Sequence, residues 1–212
     1  MRLSTFLQIL ALSLLSFVGL AAELPIEQGK DYKLVKARNL TNSTTTKGEI
    51  VEFFSYGCPA CYHLEPILEE WLVQKSKTVE FKRVPVVFHS GWDVYAKAYY
   101  IVSAMGLEAK LSPKLFAAVQ EQNLNLTHKK ALAAFLAQEG ISEQDFQNAY
   151  DNSLALTLKL KQGDELMKQY GIMEIPAFVV NGRFYTNAAM AKGDPQRLLQ
   201  ILDFLLHKPR AA

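Results

Sequence analysis

The segment EFFSYGCPACYHLEP, residues 52–66, holds both cysteines of the chain, Cys58 and Cys61. The residues on either side of the pair constrain the fold most. GEIVEFFSY, residues 48–56, is rich in β-branched and aromatic residues and nearly continuous in hydrophobicity, which predicts a buried strand. Beyond the cysteines, Leu64, Ile67, Leu68, Trp71 and Leu72 recur at helical spacing, with Glu65, Glu69 and Glu70 mostly off that face. A strand therefore runs into a C-P-x-C turn that opens a helix. Pro66 lies inside the helical pattern and is expected to kink it, because it removes a backbone donor. VEFKRVPVVF, residues 79–88, predicts a second strand, with Pro85 marking an irregularity or an edge near its end.

Three chemistries compete for the cysteine pair. A structural staple at this spacing is weak: closing a four-residue loop restricts the unfolded chain by about 1.9 kcal/mol, against about 4.7 for a hundred-residue loop. A zinc site needs about four ligands, and only His63 lies nearby. His89, His128 and His207 are scattered without ligand spacing. A redox pair fits the context. The first sulfur falls at a helix amino terminus, where free N–H groups and the helix dipole favour a thiolate, and the second sits one turn in.

The amino-terminal residues suggest an oxidising compartment. MRLSTFLQILALSLLSFVGLAAELP carries one cation, Arg2, and no further charge until Glu23. A basic start, an apolar run and small residues at Gly19, Ala21 and Ala22 predict a secretory signal cleaved after Ala21 or Ala22. A retained membrane anchor is the alternative, but Ser4, Thr5, Gln8, Ser13 and Ser16 dilute the run. The formal net charge of +2 excludes a nucleic-acid footprint. With half its residues hydrophobic, the chain can bury a full core. The polar tract TNSTTTKGE, 41–49, reads as a surface loop.

A second stretch completes the pattern. GIMEIPAFVVNGRFYT, residues 171–186, contains two short apolar strands joined by Asn181-Gly182, a strong hairpin signal, and Pro176 immediately precedes the first. Together with EFFSYGCPACYHLEP, this order resembles the thioredoxin fold, and more closely the DsbA-like periplasmic thiol:disulfide oxidoreductases. The resemblance spans nearly the whole mature chain and implies an α/β class: a thioredoxin fold with an inserted all-helical domain. The expected division is a signal peptide over 1–22, thioredoxin-like parts over 23–89 and 166–212, and the helical insertion over 90–165.

Within the insertion, WDVYAKAYYIVSAMG, residues 92–106, carries an apolar stripe through Val94, Ala98, Ile101, Val102 and Met105. Ser112-Pro113 reads as an N-cap with proline at the first helical position. Thr127 reads as the opening of another helix that ends before Gly140. Ser142 with Asp145 resembles a capping box, and a last helix is expected over about 155–170.

The resemblance also assigns roles. It makes Cys58 the exposed nucleophile and Cys61 its buried resolving partner, joined as a redox-active disulfide, with no metal and no other cofactor. It implies a cis peptide bond at Pro176, beside the sulfurs, presenting the backbone of Ile175 to a substrate peptide in the manner of an edge strand. Glu52, a carboxylate in a buried strand, costs energy unless paired or protonated; the matching family position holds a buried acid, which makes Glu52 a candidate proton relay. Pairing of Glu52 or of Glu65 with Lys82 or Arg83 is the structural alternative. Glu65 matches a second acidic position. Tyr56, Phe88 and Trp92 read either as the rim of an apolar substrate surface or as core.

Pro59 and Ala60, between the cysteines, tune the pair. Family oxidants commonly carry histidine at position 60; alanine offers the thiolate neither donor nor charge, which implies a milder oxidant. The expected function is oxidation of folding exported proteins in the periplasm, with reoxidation by a DsbB-like membrane partner and a monomeric chain. A reductase or isomerase of the same fold is the alternative. The short segment before the motif leaves no room for a dimerisation domain, and Ile175 matches the apolar residue of oxidases. A non-catalytic binding or chaperone module is the third reading.

Overall fold

The computed structural model describes residues 25–35, 47–151 and 153–208. The expected signal peptide and most of the 41–49 loop lie outside them. In chain order the elements are β1 (Lys33–Leu34), β2 (Gly48–Phe54), α1 (Pro59–Lys75), β3 (Val79–Pro85), α2 (Trp92–Ala104), α3 (Glu108–Gln120), α4 (Lys129–Gln138), α5 (Glu143–Asp151), α6 (Leu154–Tyr170), β4 (Ala177–Val180), β5 (Phe184–Asn187) and α7 (Pro195–Leu206).

The strands form one sheet in the order β1-β5-β4-β2-β3. β2 and β3 are parallel, and β4 runs antiparallel to both β2 and β5. Alternation along the strands separates two cores. Ile50, Phe178 and Val180 face α1 and α7, meeting Leu64, Leu68, Leu198 and Leu202. Val51, Phe53, Ala177 and Val179 face the other way, toward Tyr170 and Ile172. A third cluster joins Phe54, Tyr56 and both cysteines to buried residues of the helices between β3 and β4. Those helices therefore share a core with the cysteine pair.

The hairpin between β4 and β5 differs in length from the expected two residues. Val180 pairs with Phe184, and the Arg183 N–H donates to the Val180 carbonyl at 3.0 Å, so the loop is Asn181-Gly182-Arg183. Asn181 and Gly182 take the positive φ that the turn demands.

Two helix starts also differ. α3 begins at Glu108, one turn before Ser112, and runs through Pro113. The Ser112 hydroxyl is engaged elsewhere, 2.7 Å from the Tyr56 hydroxyl, so it caps nothing. α4 has His128 as its N-cap, while Thr127 bonds to Asn125. Ser142 does cap α5, accepting the Asp145 N–H at 3.1 Å, and α1 continues through Pro66 without ending.

α6 packs closely on β3 at Gly163, where a Cβ would meet the Tyr100 hydroxyl at 2.9 Å and Val84 Cγ1 at 3.3 Å. Leucine there gains about 1 kcal/mol in helix propensity, but forcing a side chain between Tyr100 and Val84 costs about 1–3 kcal/mol or more. Gly163→Leu is expected to lower stability by about 1–2 kcal/mol net in urea unfolding; an unchanged midpoint would show that the helix can lift off the sheet freely.

Candidate active site

The site is built where β2 ends. Cys58 is the N-cap residue of α1, in extended conformation at φ −97° and ψ 110°, and Pro59 follows at the first helical position. Proline suits that position because its missing N–H has no helical partner to lose. The Cys61 N–H donates to Cys58 Sγ at 3.1 Å, so sulfur takes the place of the usual capping oxygen. The two residues form a disulfide with Cα atoms 5.3 Å apart.

Cys58 is less open than expected, at 5% exposure against 1% for Cys61. Part of the cover comes from a residue distant in sequence. The carbonyl oxygen of Ile175 lies 3.8 Å from Cys58 Sγ, and the Ile175–Pro176 bond is cis. Trp92 lies against Gly57, so closely that a Cβ on Gly57 would meet the indole at 2.6 Å. His89 stands edge-on to the same indole, with ring centroids 4.6 Å apart. Trp92 and Phe88 are partly buried, whereas Tyr56 belongs to the core. His63 is exposed beside Tyr62.

Beneath the helix lies a buried charge cluster. Glu52 is on the same face of β2 as Ile50, and the parallel register sets it opposite Arg83 of β3. Arg83 Nε donates to Glu52 at 2.8 Å, and Nη2 donates to Glu65 at 2.9 Å and to Glu69 at 2.8 Å. Glu108 stands 3.8 Å from Nη1. Arg83 also lines a cavity of about 610 Å³ with Tyr99, Tyr100 and Gly163, which neither cysteine lines. The expected alternative of Arg83 pairing with Glu52 is thus present. Glu65, expected largely off the apolar face, is buried to 6% exposure.

One guanidinium serves two buried carboxylates. Burial pushes Glu52 upward, against the pull of Arg83. Burial also raises Glu65 to about 8, aided by the neighbouring Glu52 and Glu69. Arg83 itself loses by burial, but Glu52 and Glu65 outweigh that and hold its charge more firmly. Both carboxylates are thus shifted toward their protonated forms by burial, while Arg83 pulls against that shift. Cys61, Glu65 and Glu69 fall at i, i+4 and i+8 of α1, a single helical face that runs from the buried sulfur to a carboxylate with 49% side-chain exposure.

A thioredoxin family model, Thioredoxin_4, matches residues 42–201. A thiol:disulfide interchange protein DsbA from Burkholderia cepacia is 37% identical over 202 residues, covering 94% of each chain. The chain belongs to the DsbA family. The DsbA of Pseudomonas syringae pv. tomato is 36% identical over 205 residues, covering 96% of this chain and 94% of its own. A crystal structure of a point variant of Pseudomonas aeruginosa DsbA superposes with a TM-score of 0.81 at 31% identity, over 89% of this chain and all of that one. The DsbA fold here is the thioredoxin fold with inserted helices, and its activity is thiol:disulfide exchange. Among the described residues no helix is long and apolar enough to cross a membrane.

The sign of the charge cluster's pH dependence follows from Glu65. An acid whose folded pKa lies above its unfolded value binds more protons when folded, so its contribution is present below about 4.5 and is lost as pH rises toward about 8. Between those limits the slope reaches about 1.4 kcal/mol per pH unit. Glu65→Gln removes it. The variant should gain stability relative to wild type as pH rises from 5 to 9, read by urea unfolding of the oxidised proteins. A difference that stays constant or shrinks would show Glu65 ionised throughout.

Proposed function

We propose that the chain is the oxidising member of a periplasmic disulfide-exchange pair, with Cys58 as the sulfur that meets substrate. The Cys58 sulfur at the amino end of α1, accepting the Cys61 N–H, carries this reading. Any thiolate formed there keeps that donor and faces the positive end of the helix dipole. A substrate thiolate attacks Cys58 Sγ, the Cys58–Cys61 bond breaks, and Cys61 leaves with the electron pair. A second substrate thiolate then attacks the substrate sulfur of the mixed disulfide and releases Cys58 as thiolate. The substrate loses two electrons and the cysteine pair gains them.

Cys61 leaves in a buried position, where an uncompensated thiolate is costly. We propose that the Glu52–Arg83–Glu65 cluster supplies its proton: Glu65 lies one turn beyond Cys61, and Glu52 shares the same guanidinium. The Ile175 carbonyl beside Cys58 would pair with the main chain of a substrate peptide, with Pro176 fixing its direction. Residues 1–22 would act as the export signal, and residues 90–165 as a helical domain set into a thioredoxin-like domain of 23–89 and 166–212. A monomer working on folding exported proteins and reoxidised by a DsbB-like membrane partner completes the cycle.

Brief alkylation of the reduced protein followed by peptide mapping should label Cys58 first. Cys61→Ser should accumulate mixed disulfides when offered a disulfide such as oxidised glutathione, because the Cys58 thiolate attacks it, expels one glutathione thiolate and has no resolving cysteine; Cys58→Ser should abolish them. Preferential labelling of Cys61 would reverse the roles.

Position 60 sets the strength of the oxidant. Ala60→His places a donor or charge near the Cys58 thiolate, and each unit of thiol pKa is worth about 1.4 kcal/mol, or about 30 mV in a two-electron couple. The variant's potential against glutathione should rise by about 30 mV or more; an equal or lower value contradicts this account of the dipeptide.

A further inference from the structure

Helix α3 touches both flanks of the cysteine pair. Before it, the Ser112 and Tyr56 hydroxyls bond at 2.7 Å in the core, and Gln120 Nε2 donates to the Tyr56 main-chain carbonyl, also at 2.7 Å. After it, the Tyr62 hydroxyl donates to Glu121, the C-cap residue of α3. Tyr56 is two residues ahead of Cys58. The intervening turn closes on Ser55, whose Oγ accepts the Gly57 N–H at 3.2 Å and whose carbonyl accepts the Cys58 N–H at 3.0 Å. Gln120 thus holds the peptide plane from which this turn departs, across 64 residues of sequence.

We propose that Gln120 is a positioning residue for disulfide exchange: its bond to the Tyr56 carbonyl keeps the Cys58 sulfur at the end of α1 in the reduced protein and so raises the reduction potential of the pair. The proposal rests on Cys58–Cys61 being the exchanging pair.

The two redox states do not need Gln120 equally. When oxidised, the covalent bond to Cys61 fixes the Cys58 side chain, and freeing the Tyr56 carbonyl lets little move. When reduced, the sulfur is held only by the turn and by the Cys61 N–H. Loosening the turn then lets Cys58 leave the helix end and recovers conformational entropy at the expense of the thiolate's donor. The bond therefore stabilises the reduced form more, and a more stable reduced form is a stronger oxidant. A purely structural role, ending α3 and filling its interface with β2, would stabilise both forms alike and leave the potential where it is.

Gln120→Met keeps the length and bulk of the side chain and removes the donor. Equilibration of wild type and variant with glutathione gives the ratio of reduced to oxidised enzyme, and urea unfolding of each redox form gives the two stabilities. Loss of one hydrogen bond felt mainly in the reduced state should lower the reduced-to-oxidised ratio about three- to tenfold, which is about 14–30 mV. The reduced form should lose more stability than the oxidised one, and the thiolate absorbance should titrate at higher pH. An unchanged ratio, or equal losses in both forms, overturns the proposal. If Gln120→Met does not fold, Gln120→Asn keeps the amide but cannot span the distance, and the same ratio decides. Wild-type protein that fails to equilibrate with glutathione at all would instead refute the exchanging pair itself.

Discussion

The hydrogen bond from the Cys61 N–H to Cys58 Sγ is the interaction on which this molecule turns. A sulfur at an N-cap is a poor acceptor as a thiol and a good one as a thiolate, so the helix end favours the charged, reduced state. Much of the architecture serves to hold that sulfur where the helix can act on it. β2 delivers the chain to the turn, Pro59 starts the helix without wasting a donor, and Trp92 closes over Gly57. The helices between β3 and β4 share one apolar core with both cysteines, so the insertion is part of the site.

Below the sulfurs, the charge cluster shows how a buried acid is tolerated. An isolated carboxylate in the interior costs several kcal/mol, and one guanidinium cannot neutralise both Glu52 and Glu65. Both acids are pushed upward by burial, while Arg83 is held charged. Such a cluster contributes little net stability, since replacing buried ion pairs by apolar residues is often neutral or better. Its place in the fold sets Glu65 one helical turn beyond Cys61, which is what the proposed proton transfer requires.

Much of this was legible in the sequence because it rests on local patterns. The buried strand before the motif, the helix opened by Pro59 and the Asn181-Gly182 turn all carry short-range signals, and they position Cys58, Cys61 and Pro176. What escaped depends on partners distant in sequence. Periodicity sets Glu65 off the apolar face, and its burial follows only once the pairing of β2 with β3 brings Arg83 beneath it. Ser112-Pro113 has the chemistry of a helix start, but the hydroxyl serves Tyr56 across the interface and α3 begins a turn earlier. Cys58 reads as exposed from its helix position, while the Ile175 carbonyl that stands against its sulfur comes from 117 residues away. Gln120 gives no signal at all, since one glutamine at a helix end is indistinguishable from any other.

A helix end that favours the Cys58 thiolate makes the fold stabilise the reduced pair over the disulfide. A staple of four residues stabilises the oxidised protein by about 1.9 kcal/mol. A redox site of the kind described does the reverse, because the helix end favours a thiolate that the disulfide eliminates. Equilibrium unfolding of the oxidised and reduced proteins at neutral pH separates the two directly. The reduced protein should unfold at the higher urea concentration; an oxidised protein that is the more stable of the two would contradict the claim.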